Sequence, residues 1–380
     1  MRHRLWQLVL CLLCAIALVS CTGARSDSGS EIVIGEFGSL TGTTATFGIS
    51  TKNGIDMAID AINKSGGLLG KQVRVMVEDD QGKPEEAQTV VTKLITKDQV
   101  IAVLGEVASS RTMAAAPVAQ QNGIPLISPS STNPKVTQTG DYIFRVCFID
   151  PFQGLVMAKF ATNTLKVKNV AVLRDIKNDY SVGLAGVFIE NFKSMGGNVV
   201  ANESYSEGDT DFSAQLTSIK ARNPQAVFLP GYYTEVGLVV RQAKKLGLTV
   251  PFMGGDGWDS PRLIEIGGDA LNGSYYSNHF SVSDPSPAIQ KFVSDYKARY
   301  GETPDALAGL GFDAASILFD AIKRANSTDG AKIRDAIAQT KDFPGVTGKI
   351  TLDKDRNAVK PAVVLQVKEG KLNYVETIAP

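Results

Sequence analysis

The chain has 380 residues, 43% hydrophobic and 7% aromatic, with 39 Lys and Arg balanced by 39 Asp and Glu. This is too long for one ordinary domain and suits two, and the hydrophobic fraction is that of a globular α/β protein. The balanced charge excludes a bulk electrostatic attraction to nucleic acid or to an anionic membrane surface.

Arg2, His3 and Arg4 precede an apolar stretch from Leu8 to Val19, the layout of a secretory signal peptide. The stretch is too short for a membrane span, which needs roughly 20 residues. In Leu18-Val19-Ser20-Cys21 a Cys stands where an ordinary cleavage site would run on into the mature chain. The run resembles the lipobox of bacterial lipoproteins, in which the Cys is diacylated and becomes the new N-terminus. Residues 1–20 therefore read as a lipoprotein signal peptide, Cys21 as the lipidation site and residues 21–30, polar throughout after the Cys, as a flexible tether. The expected location is extracytoplasmic, in the cell envelope, on the periplasmic side in a Gram-negative cell. Cys11 and Cys14 leave with the leader, so Cys147 is the only thiol left and no intramolecular disulfide forms. Its apolar, strand-like setting, Phe144-Arg145-Val146-Cys147-Phe148, predicts a buried packing residue. Once His3 is removed His279 stands alone, which argues against a histidine-based metal or catalytic centre.

Beyond the tether, short apolar runs alternate with helix-period segments. Strands are expected at 32–35, 73–78, 100–104, 125–128, 170–173, 199–205, 226–229 and 251–254. Helices are expected at 51–63, 84–97 (with Pro84 in the first turn), 109–121, 152–165, 182–195, 212–222 and 235–246. This alternation predicts parallel sheets with helices on both faces. Ala102-Val103-Leu104-Gly105, a helix, and Gly123-Ile124-Pro125-Leu126 match Ala226-Val227-Phe228-Leu229, a helix, and Gly247 followed by Pro251-Phe252 in order and type. Two such units are consistent with two lobes of the same build. From Tyr275 the character changes to helices at 287–300, 312–326 and 331–339, then strands at 346–352 and 362–367 around a polar turn at 353–357.

The ordered runs carry a resemblance. They begin with Ile34-Gly35, Ser39-Leu40-Thr41-Gly42, Gly54 with Ala58, Ile62-Asn63 and Gly66-Gly67, then Asp79-Asp80. Leu104-Gly105 with Ser109-Ser110, Pro129-Ser130-Ser131-Thr132 and Phe144-Arg145 follow. Asp179-Tyr180-Ser181-Val182-Gly183, Asp211-Phe212-Ser213, Pro230-Gly231-Tyr232 and Gly254-Gly255-Asp256-Gly257 complete the set. Over the whole mature chain the sequence resembles the periplasmic substrate-binding proteins of ABC importers, of the leucine/isoleucine/valine-binding type. The resemblance implies a type I periplasmic-binding-protein fold, α/β, with two doubly wound parallel-sheet lobes joined by three crossover strands. The crossovers map near Phe148, Tyr275–Tyr276 and Leu352–Asp353. Lobe one is then 31–147 plus 277–352, and lobe two 148–276 plus 353–380. It further implies a monomer that takes a small-molecule ligand, uses no cofactor, and docks on ABC transporter permease subunits.

A free amino acid needs its carboxylate and its ammonium received a short distance apart. Backbone N–H groups at a helix start, with short hydroxyls, suit the carboxylate. The run Val107-Ala108-Ser109-Ser110 lies between a strand end and a helix start, and Ser130-Ser131-Thr132 follows the next strand. By resemblance, Ser109 and Thr132 grip the carboxylate, while Ala108, Ser130 and Ser131 lend backbone groups; Ser109 also reads as an ordinary helix cap. Asp256 is the candidate for the ammonium, where the family's better-known members carry the longer Glu. Tyr180 and Tyr232 match a ring wall and a hydroxyl near the ammonium, and Phe47 suits the apolar side-chain wall. Trp258 either narrows the pocket or packs in the core. Asp79 and Asp80, adjacent in a strand, face opposite sides and are expected to cap the next helix or line the rim.

Gly35-Glu36-Phe37-Gly38 lacks the spacing of a dinucleotide fingerprint, no G-x-S-x-G elbow occurs, and Ser109 and Ser110 have no neighbouring His in sequence to act as base. A non-catalytic receptor is the expectation. A sensor on the same fold feeding a signalling partner, and a carrier for a small amide or an aromatic acid, stay open as alternatives.

Overall fold

The computed structural model describes residues 31–380. The expected leader at 1–20, the lipidation site Cys21 and the tether at 21–30 lie outside the described residues. No helix among the described residues is long and apolar enough to cross a membrane.

The smaller of two main sheets contains β1 (Glu31–Gly38), β2 (Gln72–Asp79), β3 (Val103–Leu104), β4 (Leu126–Ser128) and β5 (Ile143–Arg145). Their order is β2-β1-β3-β4-β5 and every pairing is parallel. The larger sheet runs β15-β14-β10-β9-β8-β6-β7. It is built from β6 (Asn169–Asp175), β7 (Asn198–Tyr205), β8 (Ala226–Phe228), β9 (Phe252–Gly254) and β10 (Tyr275–Asn278), mutually parallel, with β14 (Ala362–Lys368) and β15 (Lys371–Ile378) antiparallel at one edge. A small antiparallel sheet joins β11 (Phe343–Gly345), β12 (Gly348–Leu352) and β13 (Ala358–Val359). Both sheets are covered on two faces, as parallel sheets must be. In β1, Ile32 and Ile34 enter one apolar cluster while Phe37 enters another.

The helices are α1 (Ala45–Lys64), α2 (Pro84–Thr96), α3 (Ser109–Gln121), α4 (Lys135–Gln138), α5 (Asp150–Lys159), α6 (Asp179–Ser194), α7 (Ser213–Ala221), α8 (Tyr233–Lys245), α9 (Pro261–Gly267), α10 (Pro287–Tyr300), α11 (Ala306–Ala325) and α12 (Gly330–Ala338). The chain crosses between lobes three times: after β5, after β10, and between β13 and β14. Ser277 and Asn278 are still paired with β14, and Ala358–Val359 is paired with β12.

Helix α11 is buried almost all round, from Ala306 to Ile322, as a helix wedged inside a lobe should be. It meets α1 so closely that a Cβ on Gly54 would stand 1.9 Å from the Ala308 carbonyl oxygen, and one on Gly311 2.4 Å from that of Thr51. Expected at 312, α11 instead starts at Ala306, where Asp305 caps it by accepting from the Ala308 N–H. Two glycines in its first turns hid that start, since glycine weakens helix propensity. Gly48 hid the first turns of α1 in the same way. Unforeseen β15 is mostly exposed and follows the turn Glu369-Gly370, both at positive φ, the geometry of a tight hairpin.

Glu36 is an anomaly inside β1. It is 3% exposed, and its Oε2 has no hydrogen-bond partner. Burial, reinforced by Asp56 and opposed by Lys52, pushes its carboxyl up from 4.5 to about 8. A raised folded-state pKa contributes stability at low pH that is lost as pH rises towards that value. Glu36→Gln should therefore raise stability by roughly 1–3 kcal/mol above about pH 9 and leave it nearly unchanged near pH 4. Thermal melts of both proteins across that range test this; an equal effect at both ends contradicts it.

Candidate ligand-binding site

Between the lobes lies a cavity lined by Phe47, Val107, Ser130 and Leu307 from lobe one and Tyr180, Tyr232, Asp256 and Gly257 from lobe two. Most of these residues follow the C-terminal ends of parallel strands, where open α/β sheets place their ligands. Val107 follows β3, Ser130 follows β4, Tyr232 follows β8, and Asp256 with Gly257 follows β9. Phe47 and Leu307 ride on the first turns of α1 and α11. The free volume, about 10 Å³, is close to the least that one water requires. Cross-lobe hydrogen bonds seal the surroundings. Thr46 Oγ1 meets Ser260 Oγ at 2.9 Å, Thr234 Oγ1 donates to the Thr43 carbonyl at 2.7 Å, Ser110 Oγ donates to Asp179 Oδ2 at 2.9 Å, and the Ala306 N–H donates to Asp259 Oδ2 at 2.7 Å.

Asp256 opens a single 3₁₀ turn, Asp256–Trp258, and is 4% exposed. Its backbone N–H donates to Gln153 Oε1 at 2.7 Å, fixing the turn to α5. Oδ2 lies 3.0 Å from His279 Nε2 and accepts from Ser130 Oγ at 3.4 Å. Oδ1 is buried and has no partner. His279, the single histidine of the described residues, is thus the side-chain partner of Asp256. The strand β10 delivers His279 to the turn after β9, a contact that sequence spacing does not reveal. Among the described residues no group of His, Cys, Asp and Glu could hold a metal ion.

The apolar wall is aromatic. Tyr180 and Tyr232 stack at 5.4 Å with planes 10° apart, and Phe47 sets its edge against Tyr232 at 5.3 Å. The Gly257 N–H donates to the Tyr180 hydroxyl at 3.1 Å. Burial raises both phenols above their ordinary range, so both stay neutral. A Cβ at Gly257 would come within 2.8 Å of the Gly231 carbonyl oxygen and 2.9 Å of the Tyr232 ring, so the rings close on this turn only because it is glycine. Trp258 is fully buried and donates to the Leu229 carbonyl at 2.9 Å. It packs beneath the turn, against the space Gly254 leaves, and is not part of the cavity wall.

Phe47, Ser130, Tyr180, Tyr232 and Asp256 thus meet at one cavity, while Ala108, Ser109, Ser131 and Thr132 are buried nearby without lining it. Ala108 is the N-cap of α3, which no side chain caps, and its own N–H donates to Glu106 Oε2. Ser109 accepts from the Asn133 N–H at 3.2 Å instead of capping its helix. The Ser131 hydroxyl contacts the Glu106 and Val107 carbonyls at 3.0 Å, and Thr132 Oγ1 is buried beside the Asp150 carboxyl. Neither Asp79 nor Asp80 caps α2. Asp79 Oδ1 accepts from the Leu40 and Thr41 N–H groups, and Asp80 Oδ1 from the Ser39 hydroxyl, so the pair ties down the loop before α1. Arg111, 3% exposed, donates to Thr44 Oγ1 at 2.8 Å and lies 3.3 Å from Glu106 Oε1, fixing the same loop. Cys147 is wholly buried, and burial pushes its thiol up to about 12.

Val107, Gly257, Leu307 and His279 were not foreseen in the site. The first two adjoin residues that were, whereas Leu307 and His279 are brought in by tertiary structure alone.

The family model described as periplasmic binding protein matches residues 31–371. The Leu/Ile/Val-binding protein BraC3 of Rhizobium johnstonii is 33% identical over 324 residues, 85% of this chain and 87% of that protein. A leucine binding protein, LivK, of Thermotoga maritima is 42% identical, covers 92% of this chain and 99% of its own, and superposes with a TM-score of 0.89. The substrate-binding protein LivJ of Streptococcus pneumoniae, solved with isoleucine, is 36% identical, covers 92% of this chain and 100% of its own, with a TM-score of 0.88. These are solute-binding proteins and not enzymes. With its two sheet-built lobes and the cavity between them, the chain belongs to the type I periplasmic binding proteins, in the family that binds branched-chain amino acids.

Proposed function

We propose that this protein is an extracytoplasmic receptor, anchored through lipid on Cys21, that closes its lobes on an aliphatic amino acid and delivers it as a monomer to the permease of an ABC importer. The observation that carries this reading is Asp256 Oδ1, a buried carboxylate oxygen without a partner at the edge of an apolar cavity. An unpaired buried charge is unfavourable until a cation reaches it, and a ligand ammonium supplies one. The apolar walls of Phe47, Val107 and Leu307 suit a branched aliphatic side chain. On the lobe-one side, the uncapped N-terminus of α3 and the Ser109 and Thr132 hydroxyls suit the carboxylate, with Ala108 and Ser131 beside them and Ser130 between that side and Asp256. The relatives named for leucine, isoleucine and valine support the same class. An aromatic acid or a neutral amide would leave Asp256 Oδ1 unpaired, which disfavours those alternatives.

Following the strand pairing, we take lobe one as 31–147 with about 279–359, and lobe two as the remainder. The cavity is too small for an amino acid unless the lobes part or the wall side chains yield, so the ligand enters an open form.

A thermal-shift screen tests the assignment. Leucine, isoleucine or valine at about a hundred times its dissociation constant should stabilise the protein by roughly 2.7 kcal/mol, with no response to benzoate. A response to benzoate alone contradicts it. Cys21→Ser should move the protein out of the membrane fraction.

A further inference from the structure

The contact between Asp256 and His279 has a geometry that bears on ligand charge. His279 sits just past β10, where the chain leaves the larger sheet, and its side chain is wholly buried. Its ring stacks on Phe148, from the first crossing, at 3.9 Å and 23°, so the imidazole plane is fixed by one hinge segment while the ring itself belongs to another. Held this way, Nε2 meets Asp256 Oδ2 at 3.0 Å and Nδ1 has no partner. A neutral ring with its hydrogen on Nε2 satisfies this arrangement. A protonated ring would place a second N–H, on Nδ1, in a buried position with no acceptor, which is unfavourable. Gln153 Oε1, which accepts from both the Asp256 N–H and the Ser277 hydroxyl at 2.7 and 2.8 Å, holds the turn and β10 in register.

We infer that His279 is a positioning residue for the ligand ammonium: its neutral imidazole donates Nε2–H to Asp256 Oδ2 and so aims Oδ1, with the pair's net negative charge, into the cavity. This rests on the reading of Asp256 as the ammonium acceptor. Arginine or lysine in the place of His279 would neutralise Asp256; a neutral donor orients the carboxylate and leaves its charge for the ligand.

The charged groups facing the ring are Asp256 and Asp259, on the turn after β9, and Lys360, ahead of β14. On the first crossing, Cys147 and Asp150 face Asp256. Burial lowers the His279 pKa, the two carboxylates oppose that and Lys360 adds to it. At neutral pH the ring is therefore neutral. Well below the ordinary histidine range the ring gains a proton, and its positive charge holds the ammonium less well.

The test is calorimetry of the mature protein with L-leucine at about pH 7, where the imidazole is neutral. His279→Phe keeps the stack on Phe148 and removes the donor; it should weaken leucine by about tenfold or more at neutral pH. His279→Gln returns an N–H donor near the position of Nε2. It should bind within about threefold of the parent. 4-Methylpentanoate, which has leucine's carbon skeleton and no ammonium, should bind all three alike. In an Asp256→Asn background, His279→Phe should add less than about twofold, because the charge it orients is gone. Leucine affinity unchanged in His279→Phe, equal losses on both backgrounds, or a His279→Gln variant as weak as His279→Phe overturns the inference. If Asp256→Asn itself binds leucine like the parent, the reading of Asp256 fails; if that variant is weak while His279→Phe is not, only the role of His279 fails.

Discussion

Asp256→Asn is expected to weaken L-leucine binding by about a hundredfold while leaving the free protein folded and no less stable. Removing one member of a buried charge pair typically costs about 2–5 kcal/mol in binding, equivalent to a factor of roughly thirty to several thousand. Asparagine has the same shape and still accepts from His279 Nε2 and Ser130 Oγ, the two contacts that Asp256 Oδ2 makes. The only interaction withdrawn is the charge at Oδ1, which has no partner within the protein. The free protein should melt at or slightly above the parent temperature, since a buried unpaired charge is removed. Calorimetry with leucine and a thermal melt of the free protein are both needed. A loss of affinity accompanied by a large drop in melting temperature would show a structural role in place of a binding one.

Gly54→Ala is expected to destabilise the protein by about 2–4 kcal/mol and to weaken binding, although the residue does not line the cavity. The added Cβ would stand 1.9 Å from the Ala308 carbonyl oxygen and 2.8 Å from its carbon, both backbone atoms that cannot turn aside. Helices α1 and α11 must separate to admit it. Phe47 and Leu307 sit on the first turns of these helices, so the apolar wall opens with them. Gly186→Ala, on α6, is the matched control: its Cβ meets nothing within 4 Å, and the change should stabilise by roughly 0.5–1 kcal/mol. Denaturant melts of the two variants should shift in opposite directions. A melt of Gly54→Ala indistinguishable from the parent contradicts the close helix contact.

Those two sites also show what the sequence could and could not reveal. The β/α alternation and its glycine and proline punctuation were enough to read parallel sheets, because each buried strand is a short apolar run and each helix an amphipathic one, whereas the two lobes came with the family resemblance. Helix α3 was placed at its observed ends, where Ser109 and the Gly123 turn mark it. Helix α11 was placed six residues late, because Gly309 and Gly311 lower local helix propensity for the sake of the contact with α1. Asp256 was legible from its glycine-flanked turn after a strand. His279 was not, because its role depends on β10 running beside β9 and on Phe148 arriving from another segment. Trp258 could be read from its place in the turn as a wall residue or a core one, and its indole N–H, taken by the Leu229 carbonyl below, puts it in the core. Local periodicity carries the fold, whereas side-chain pairs across crossings carry much of the site's electrostatics.

On the proposed reading the lobe-one hydroxyls and Asp256 receive the two charges of one zwitterion, and removing those charges from the ligand one at a time separates them. L-Leucine, 4-methylpentanoate and 3-methylbutylamine share an aliphatic skeleton and carry, respectively, both charges, the carboxylate only and the ammonium only. Titrated calorimetrically into the mature protein, leucine should bind at least about a hundredfold more tightly than either analogue, since each leaves one buried polar end unpaired. Equal affinity for leucine and 4-methylpentanoate would contradict the account.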